Sequence, residues 1–285
     1  MAMAFSANGE CLVSGVQEVW VSRVEDGKRM ATMPVTGLVT CLAVSKDEKW
    51  IAAGTYPSDI FVWDAKTYEQ VFALGGDIED INGVDFSPDS TQFVSVGSCT
   101  VATWDIASHK QVQALYHEAS LRAAKYSPHG DRIATATENS VQVWDATDGR
   151  LLIDTSVKVI PWYNTGLLWS NDHLFVVSND TIKQFDASTG STVAEWPVSG
   201  SNYLSCIALL KHGECVAYST ESTITYWDTS THTMLGHVNY PQNISSFAIS
   251  PGDRLLAIGG EGGKINIKSF SRIAVSFASV RLGRV

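Results

Sequence analysis

GVDFSPDSTQFVSVGSCTVATWD, residues 83–105, is the stretch whose reading decides the fold. It holds three short runs rich in Val, Phe and Thr: Gly83 to Phe86, Gln92 to Val96 and Thr100 to Trp104. A fourth run follows at Gln111 to Leu115. Each is too short and too β-branched for a helix, and alternation within them predicts strands. Ser87-Pro88-Asp89 separates the first two runs, because Pro presets φ and Asp tolerates turn geometry. Four antiparallel strands joined by tight turns follow.

The pattern recurs along the whole chain. The run closing in Trp104 and Asp105 has copies ending in Trp63 and Asp64, Trp144 and Asp145, Phe185 and Asp186, and Trp227 and Asp228. Degenerate copies end at Ser22 with Arg23 and at Lys268 with Ser269. Anchors 22, 63, 104, 144, 185, 227 and 268 are spaced by 41, 41, 40, 41, 42 and 41 residues, so seven units of 41 account for a chain of 285. A second mark precedes each anchor: an apolar strand end and a polar turn, as in Tyr126-Ser-Pro-His and Ile249-Ser-Pro-Gly, with weaker copies after Phe5, Val44, Trp169 and Leu210. A fixed period of this length marks a repeat architecture.

The chain resembles the WD-repeat β-propeller family, in which each unit of roughly 40 to 45 residues gives one four-stranded blade. The resemblance implies an all-β, seven-bladed propeller of antiparallel four-stranded blades, with residues 1–285 as a single domain. The blades are expected at approximately 1–36, 37–76, 77–117, 118–160, 161–200, 201–240 and 241–285. It makes Trp63, Trp104, Trp144, Trp227 and Phe185, with Asp64, Asp105, Asp145, Asp186 and Asp228, structural repeat residues. The family's Gly-His dipeptide has one descendant, Tyr116 with His117, and its turn Asp is replaced by Glu138, Asn179, Glu221 and Gly262. The family's His, Ser, Asp and Trp hydrogen-bond network is therefore expected to be largely absent. Each blade is expected from one contiguous stretch, the last strand at about Ile273 to Phe277, so the ends are not interlocked.

Composition narrows the function. The chain has 30 Asp and Glu against 20 Lys and Arg, a net charge of −10, and no basic run, which argues against nucleic acid. Apolar runs such as Leu204 to Leu210 are strand-sized, arguing against a membrane span. The first ten residues show no secretory signal, so the expected setting is cytoplasmic or nuclear. Cys11, Cys41, Cys99, Cys206 and Cys215 lack C-x-x-C spacing and read as reduced core thiols.

Catalytic, cofactor and metal motifs do not emerge. Gly259 to Lys264 imitates a phosphate cradle, but Ile265 replaces the Ser or Thr and the run joins two strands. The seven histidines fall without ligand spacing. One alternative is a hydrolase- or lactonase-type propeller with a metal in the central mouth, where Asp77, Asp80 and His117 would converge; another is a fragment of a larger signalling protein. The reading adopted is a non-catalytic interaction scaffold or partner-recognition module without cofactor, monomeric or a subunit of a hetero-complex, whose partners are other proteins. Its expected binding surface is the rim formed by the loops entering each inner strand and the turns joining second and third strands. That rim is expected to present Tyr56, Trp162, Tyr163, Tyr203 and Tyr240 with Asp77, Glu79, Asp80, Glu138, Glu221 and Glu261, a set suited to basic or amphipathic peptide segments.

Overall fold

The computed structural model describes residues 1–75, 80–157, 166–177, 181–198, 204–210, 213–260 and 263–270. Seven antiparallel sheets follow one another along the chain. Blade 1 comprises β1 (Ala2–Phe5), β2 (Cys11–Gly15), β3 (Glu18–Arg23) and β4 (Arg29–Pro34), and blade 2 comprises β5 (Leu38–Val44), β6 (Trp50–Tyr56), β7 (Ile60–Asp64) and β8 (Gln70–Leu74). Blade 3 is β9 (Ile81–Phe86), β10 (Gln92–Gly97), β11 (Thr100–Asp105) and β12 (Lys110–Tyr116); blade 4 is β13 (Leu121–Tyr126), β14 (Arg132–Thr137), β15 (Ser140–Asp145) and β16 (Leu151–Ser156). Blade 5 is β17 (Leu167–Ser170), β18 (His173–Val177), β19 (Thr181–Asp186) and β20 (Thr192–Pro197); blade 6 is β21 (Leu204–Leu210), β22 (Cys215–Thr220), β23 (Thr223–Asp228) and β24 (Thr233–Asn239). Blade 7 contributes β25 (Ile244–Ile249), β26 (Leu255–Gly260) and β27 (Ile265–Ser269); the expected strand at Ile273 to Phe277 lies outside the described residues. The fold is an all-β, seven-bladed propeller. Among the described residues no helix is long and apolar enough to cross a membrane.

Two turns, repeated from blade to blade, build one end of the ring, which we call the bottom. The first joins the inner strand to the second. Ser6, Ser45, Ser87, Ser127 and Ser250 are buried there, and each hydroxyl accepts a hydrogen bond from the amide five residues on, at 2.9–3.1 Å. The fourth residue of each turn, Gly9, Glu48, Ser90, Gly130 or Asp253, takes positive φ. Blade 5 departs from this scheme: Ser170 pairs directly with His173, leaving a short turn at Asn171 and Asp172.

The second turn joins the third strand to the outer one and explains the Asp of each Trp-Asp pair. Asp64, Asp145, Asp186 and Asp228 accept from the amides two and three residues on, and Asp105 from the Ser108 amide. Such donors favour the charged form. The Ser230 hydroxyl and the Thr231 amide accordingly hold Asp228 down at about 2, and the Ser188 hydroxyl with the Thr189 amide holds Asp186 lower still. A positive-φ residue then closes the turn. At Gly190 the turn lies against Ile153 and Thr155 of the preceding blade's β16, leaving no room for a Cβ.

Packing between blades supplies the core. Trp63 is fully buried, stacked on Phe61 at 5.7 Å, among Val13, Val19 and Met33 of blade 1. Trp104 is buried, whereas Trp144 and Trp227 are half-buried. Part of the family's network survives: the Trp104 indole donates to Ser95 Oγ and that of Trp144 to Thr135 Oγ1, both at 2.9 Å. Its histidine arm does not, since His117 Nδ1 accepts from the Ala119 amide instead. Trp196 on outer strand β20, not singled out by the repeat, is also fully buried, stacked on Phe175.

All seven inner strands line a central cavity of about 360 Å³, which shows the ring closed. β1 hydrogen-bonds to β2 within its own sheet and packs on β25 across the closing seam. A Cβ at Gly259 would collide with the Met1 side chain, and Gly9 lies against Ser250 and Pro251.

Candidate interaction surface

The opposite end, the top, carries the loops into each inner strand and the turns between second and third strands. Blades are joined here by backbone: the amides of Val39, Leu121 and Ile244, at inner-strand starts, donate to the carbonyls of Val16, Ser98 and Glu221 in the preceding blade. This fixes the positions of the top turns relative to the channel. Side chains at those turns therefore form a ring with set spacing.

Cations are divided unequally between the ends. Among the described residues, cations in the top loops or within two residues of them are Arg122 and Lys264, while the carboxylates are Glu18, Asp59, Asp80, Glu118, Glu138 and Glu221. By the same measure the bottom holds twelve cations, Arg23, Lys28, Arg29, Lys46, Lys49, Lys66, Lys110, Lys125, Arg132, Arg150, Arg254 and Lys268, among eighteen carboxylates, so both ends are net negative and the top is distinguished by its scarcity of cations. Arg122 is paired with Glu138 at 2.6 Å, which offsets one cation and one carboxylate. Among the described residues the remaining top carboxylates outnumber the remaining cation, and their potentials add.

The expected rim residues divide into three groups. Tyr56, 54% exposed, and exposed Glu138 and Glu221 stand on the top, with half-buried Asp80 entering β9. Trp162, Tyr163, Tyr203, Asp77, Glu79 and Glu261 lie outside the described residues. Tyr240 corrects the expectation: it is 7% exposed, packed with the blade 6 and 7 core, with Lys268 Nζ 4.6 Å from its ring centroid. Its amide donates to the Ser222 carbonyl, which draws the residue back onto its own blade despite the neighbouring Pro241. Cys99 is corrected as well, being exposed on a top turn instead of buried with Cys41, Cys206 and Cys215.

Apolar residues outside the expected rim set also reach the top surface. Val16, Leu38 and Tyr116 are 39%, 49% and 80% exposed. Leu38 pairs directly with Tyr56 across β5 and β6, and Val16 abuts β5 through the Val39 amide. Within the channel the described lining is apolar except for Thr40, Ser245, Ser246 and the Lys125–Asp85 ion pair at 2.8 Å; neither Asp80 nor His117 lines it. At the bottom mouth, Lys46, Lys125 and Trp169 stand among Pro88 and Pro128.

Three consecutive stretches, residues 27–64, 69–105 and 109–145, match the family described as WD domain, G-beta repeat. Each stretch begins at the outer strand of one blade and ends at the Trp-Asp pair of the next, so the sequence unit is offset from the blade by one strand. The chain is similar to small ribosomal subunit protein RACK1y of Oryza sativa subsp. japonica, 28% identical over 173 residues, covering 58% of this chain and 49% of that protein. It is similar to WD repeat-containing protein 18 of Danio rerio, 24% identical over 267 residues, covering 83% of this chain and 61% of that protein. The chain thus spans about half to three fifths of the length of these relatives. The crystal structure of RRP9 WD40 repeats superposes with a TM-score of 0.79 at 18% identity, covering 91% of this chain and 86% of that one, and shows the same fold.

Proposed function

Because this chain is a WD-repeat β-propeller, we propose that it is a non-catalytic interaction scaffold whose top rim receives basic or amphipathic segments of other proteins. The observation that supports this most is the scarcity of cations on the top. Six described carboxylates and two cations stand there, against eighteen carboxylates and twelve cations on the bottom. A cationic segment meets little like charge on the first surface, and attraction of this kind weakens with salt. Charge at an exposed surface supplies little affinity, so apolar side chains in the same rim anchor what the field attracts. Tyr56 is such a side chain, and Trp162 and Tyr163 are proposed as further anchors. One relative is named a protein of the small ribosomal subunit, and membership of a multi-component assembly is the form of function we propose here.

The test is affinity purification from the protein's own cells with mass spectrometry, followed by surface plasmon resonance of the recovered partner at low and high salt. Association that slows as salt rises, and slows further when Glu138 and Glu221 are replaced by Lys, supports the reading. Binding strengthened by salt contradicts it.

A further inference from the structure

The top of blades 1 and 2 differs from the rest of the rim. Val16, Leu38 and Tyr56 form one apolar patch across the seam between these blades. Leu38 and Tyr56 are cross-strand partners, and a Cβ at Gly37 would fall on the Tyr56 carbonyl, so the chain entering β5 is pressed against the end of β6. The patch is therefore set by backbone contacts, and its side chains are presented on sheet ends. Exposed Pro57 extends it. Two carboxylates border it: Glu18, which accepts from the Trp20 indole at 3.0 Å, and Asp59, which accepts from the Thr36 hydroxyl. All six Lys and Arg of these blades, Arg23, Lys28, Arg29, Lys46, Lys49 and Lys66, leave the backbone at the bottom end, and the Arg29 guanidinium stands over the Trp20 ring, 4.1 Å from its centroid.

We infer that this seam is the docking site for one kind of occupant: a short segment of a partner protein in which a large apolar side chain is followed or preceded within a few residues by Lys or Arg. The apolar side chain covers Leu38, Val16 and the Tyr56 ring. Its basic neighbour reaches Glu18 or Asp59. Charge complementarity selects this occupant over an acidic one, because an acidic segment would meet two carboxylates with no described Lys or Arg in the top turns of either blade. An aromatic beside aliphatic side chains, rimmed by polar groups, is the composition in which binding energy concentrates. The inference rests on the top-rim reading above and narrows it to one pair of blades.

Phage-displayed random dodecapeptides, selected against the folded full chain, test it without a known partner. The expected selection pairs Leu, Phe or Trp with Lys or Arg. Selected peptides, made synthetically and labelled, should bind Leu38→Asp and Tyr56→Ser variants at least tenfold more weakly, with melting temperatures close to the parent because both side chains are about half exposed. Should one variant fail to fold, Val16→Asp provides the same reading. Peptides that bind these variants as well as the parent but lose binding to the Glu138→Lys, Glu221→Lys variant overturn the seam and leave the rim reading standing. Peptides indifferent to both sets overturn both. An acidic consensus, no selection, or self-association of the chain abolished by Leu38→Asp also overturns the seam proposal.

Discussion

The two ends of this ring are made of the same strands and built on opposite principles. At the bottom, buried serines and turn aspartates are spent on backbone amides, blade after blade, and most lysines and arginines stand among them. At the top, Glu138 and Glu221 are exposed and large apolar side chains face outward. The difference separates what repeats from what recognises. A residue that must satisfy the same turn in every blade recurs with the period; one that meets a partner has no reason to. The Trp-Asp pairs that make the architecture legible are for that reason poor guides to the binding surface.

The sharpest way to break this comparison is to cut into the repeat itself. Trp63→Ala should destabilise the chain by about 3–5 kcal/mol through the cavity it leaves between blades 1 and 2, measured by urea denaturation. Trp144→Ala and Trp227→Ala, at half-buried positions, should cost less. Loss of a partner with an unchanged melting temperature in Trp63→Ala would instead make that tryptophan a contact residue.

Next comes the bottom turn. Ser87→Ala leaves the Gln92 amide without the hydroxyl it donates to at 3.0 Å, and an unsatisfied buried donor costs about 1–3 kcal/mol. The same experiment at Ser98, on a top turn of the same blade, should give a change under about 0.5 kcal/mol if side chains there are not structural. Equal losses at the two sites would erase the contrast between the ends.

A smaller effect separates charge from geometry in the second turn. Asp228 is held down at about 2 from an ordinary 3.8 by the Ser230 hydroxyl and the Thr231 amide. Its folded value is depressed, so the stability it contributes is present above the unfolded value and is lost as pH falls from about 3.8 through about 2. Asp228→Asn can still accept both amides. It should cost under about 1 kcal/mol at neutral pH, since the group is near the surface and screened, and should flatten the pH dependence of stability in that acid window. An unchanged acid slope would show that the turn carboxylate is not charge-linked to folding.

How much of this could be read in the residues depends on how local the cause is. The Ser-Pro-Asp and Trp-Asp marks act within five residues of themselves, so spacing alone located the turns and the strands flanking them. Tyr240 shows where such reading stops: a tyrosine beside Pro241 in a loop looks exposed, but its ring is taken up by the interface of blades 6 and 7, which no local pattern records. Leu38 is the converse. It precedes Val39 at the start of β5, and two adjacent apolar residues give no sign of which one faces solvent; the exposed one is decided by the neighbouring blade. Trp169 closes a strand as its apolar type predicts, yet the polar turn expected after it is replaced by a shorter connection. Where the cause lies in another blade, only the assembled ring shows it.

Replacing Glu138 and Glu221 by Lys is the smallest perturbation to the fold and the most specific to function. Stability should change by no more than about 1 kcal/mol, most of it from the lost Arg122–Glu138 ion pair, checked by thermal melting, while association with a cationic partner slows.

The most direct test of the division between the ends is quantitative co-purification from the protein's own cells with two charge-reversed forms side by side. One carries Glu18→Lys, Glu138→Lys and Glu221→Lys on the top; the other carries Lys46→Glu, Lys49→Glu and Lys66→Glu on the bottom. The account predicts that the top form loses the partners recovered with the parent chain and the bottom form keeps them, with both forms folded. Retention by the top form together with loss by the bottom form would contradict it and move recognition to the end that we assign to structure.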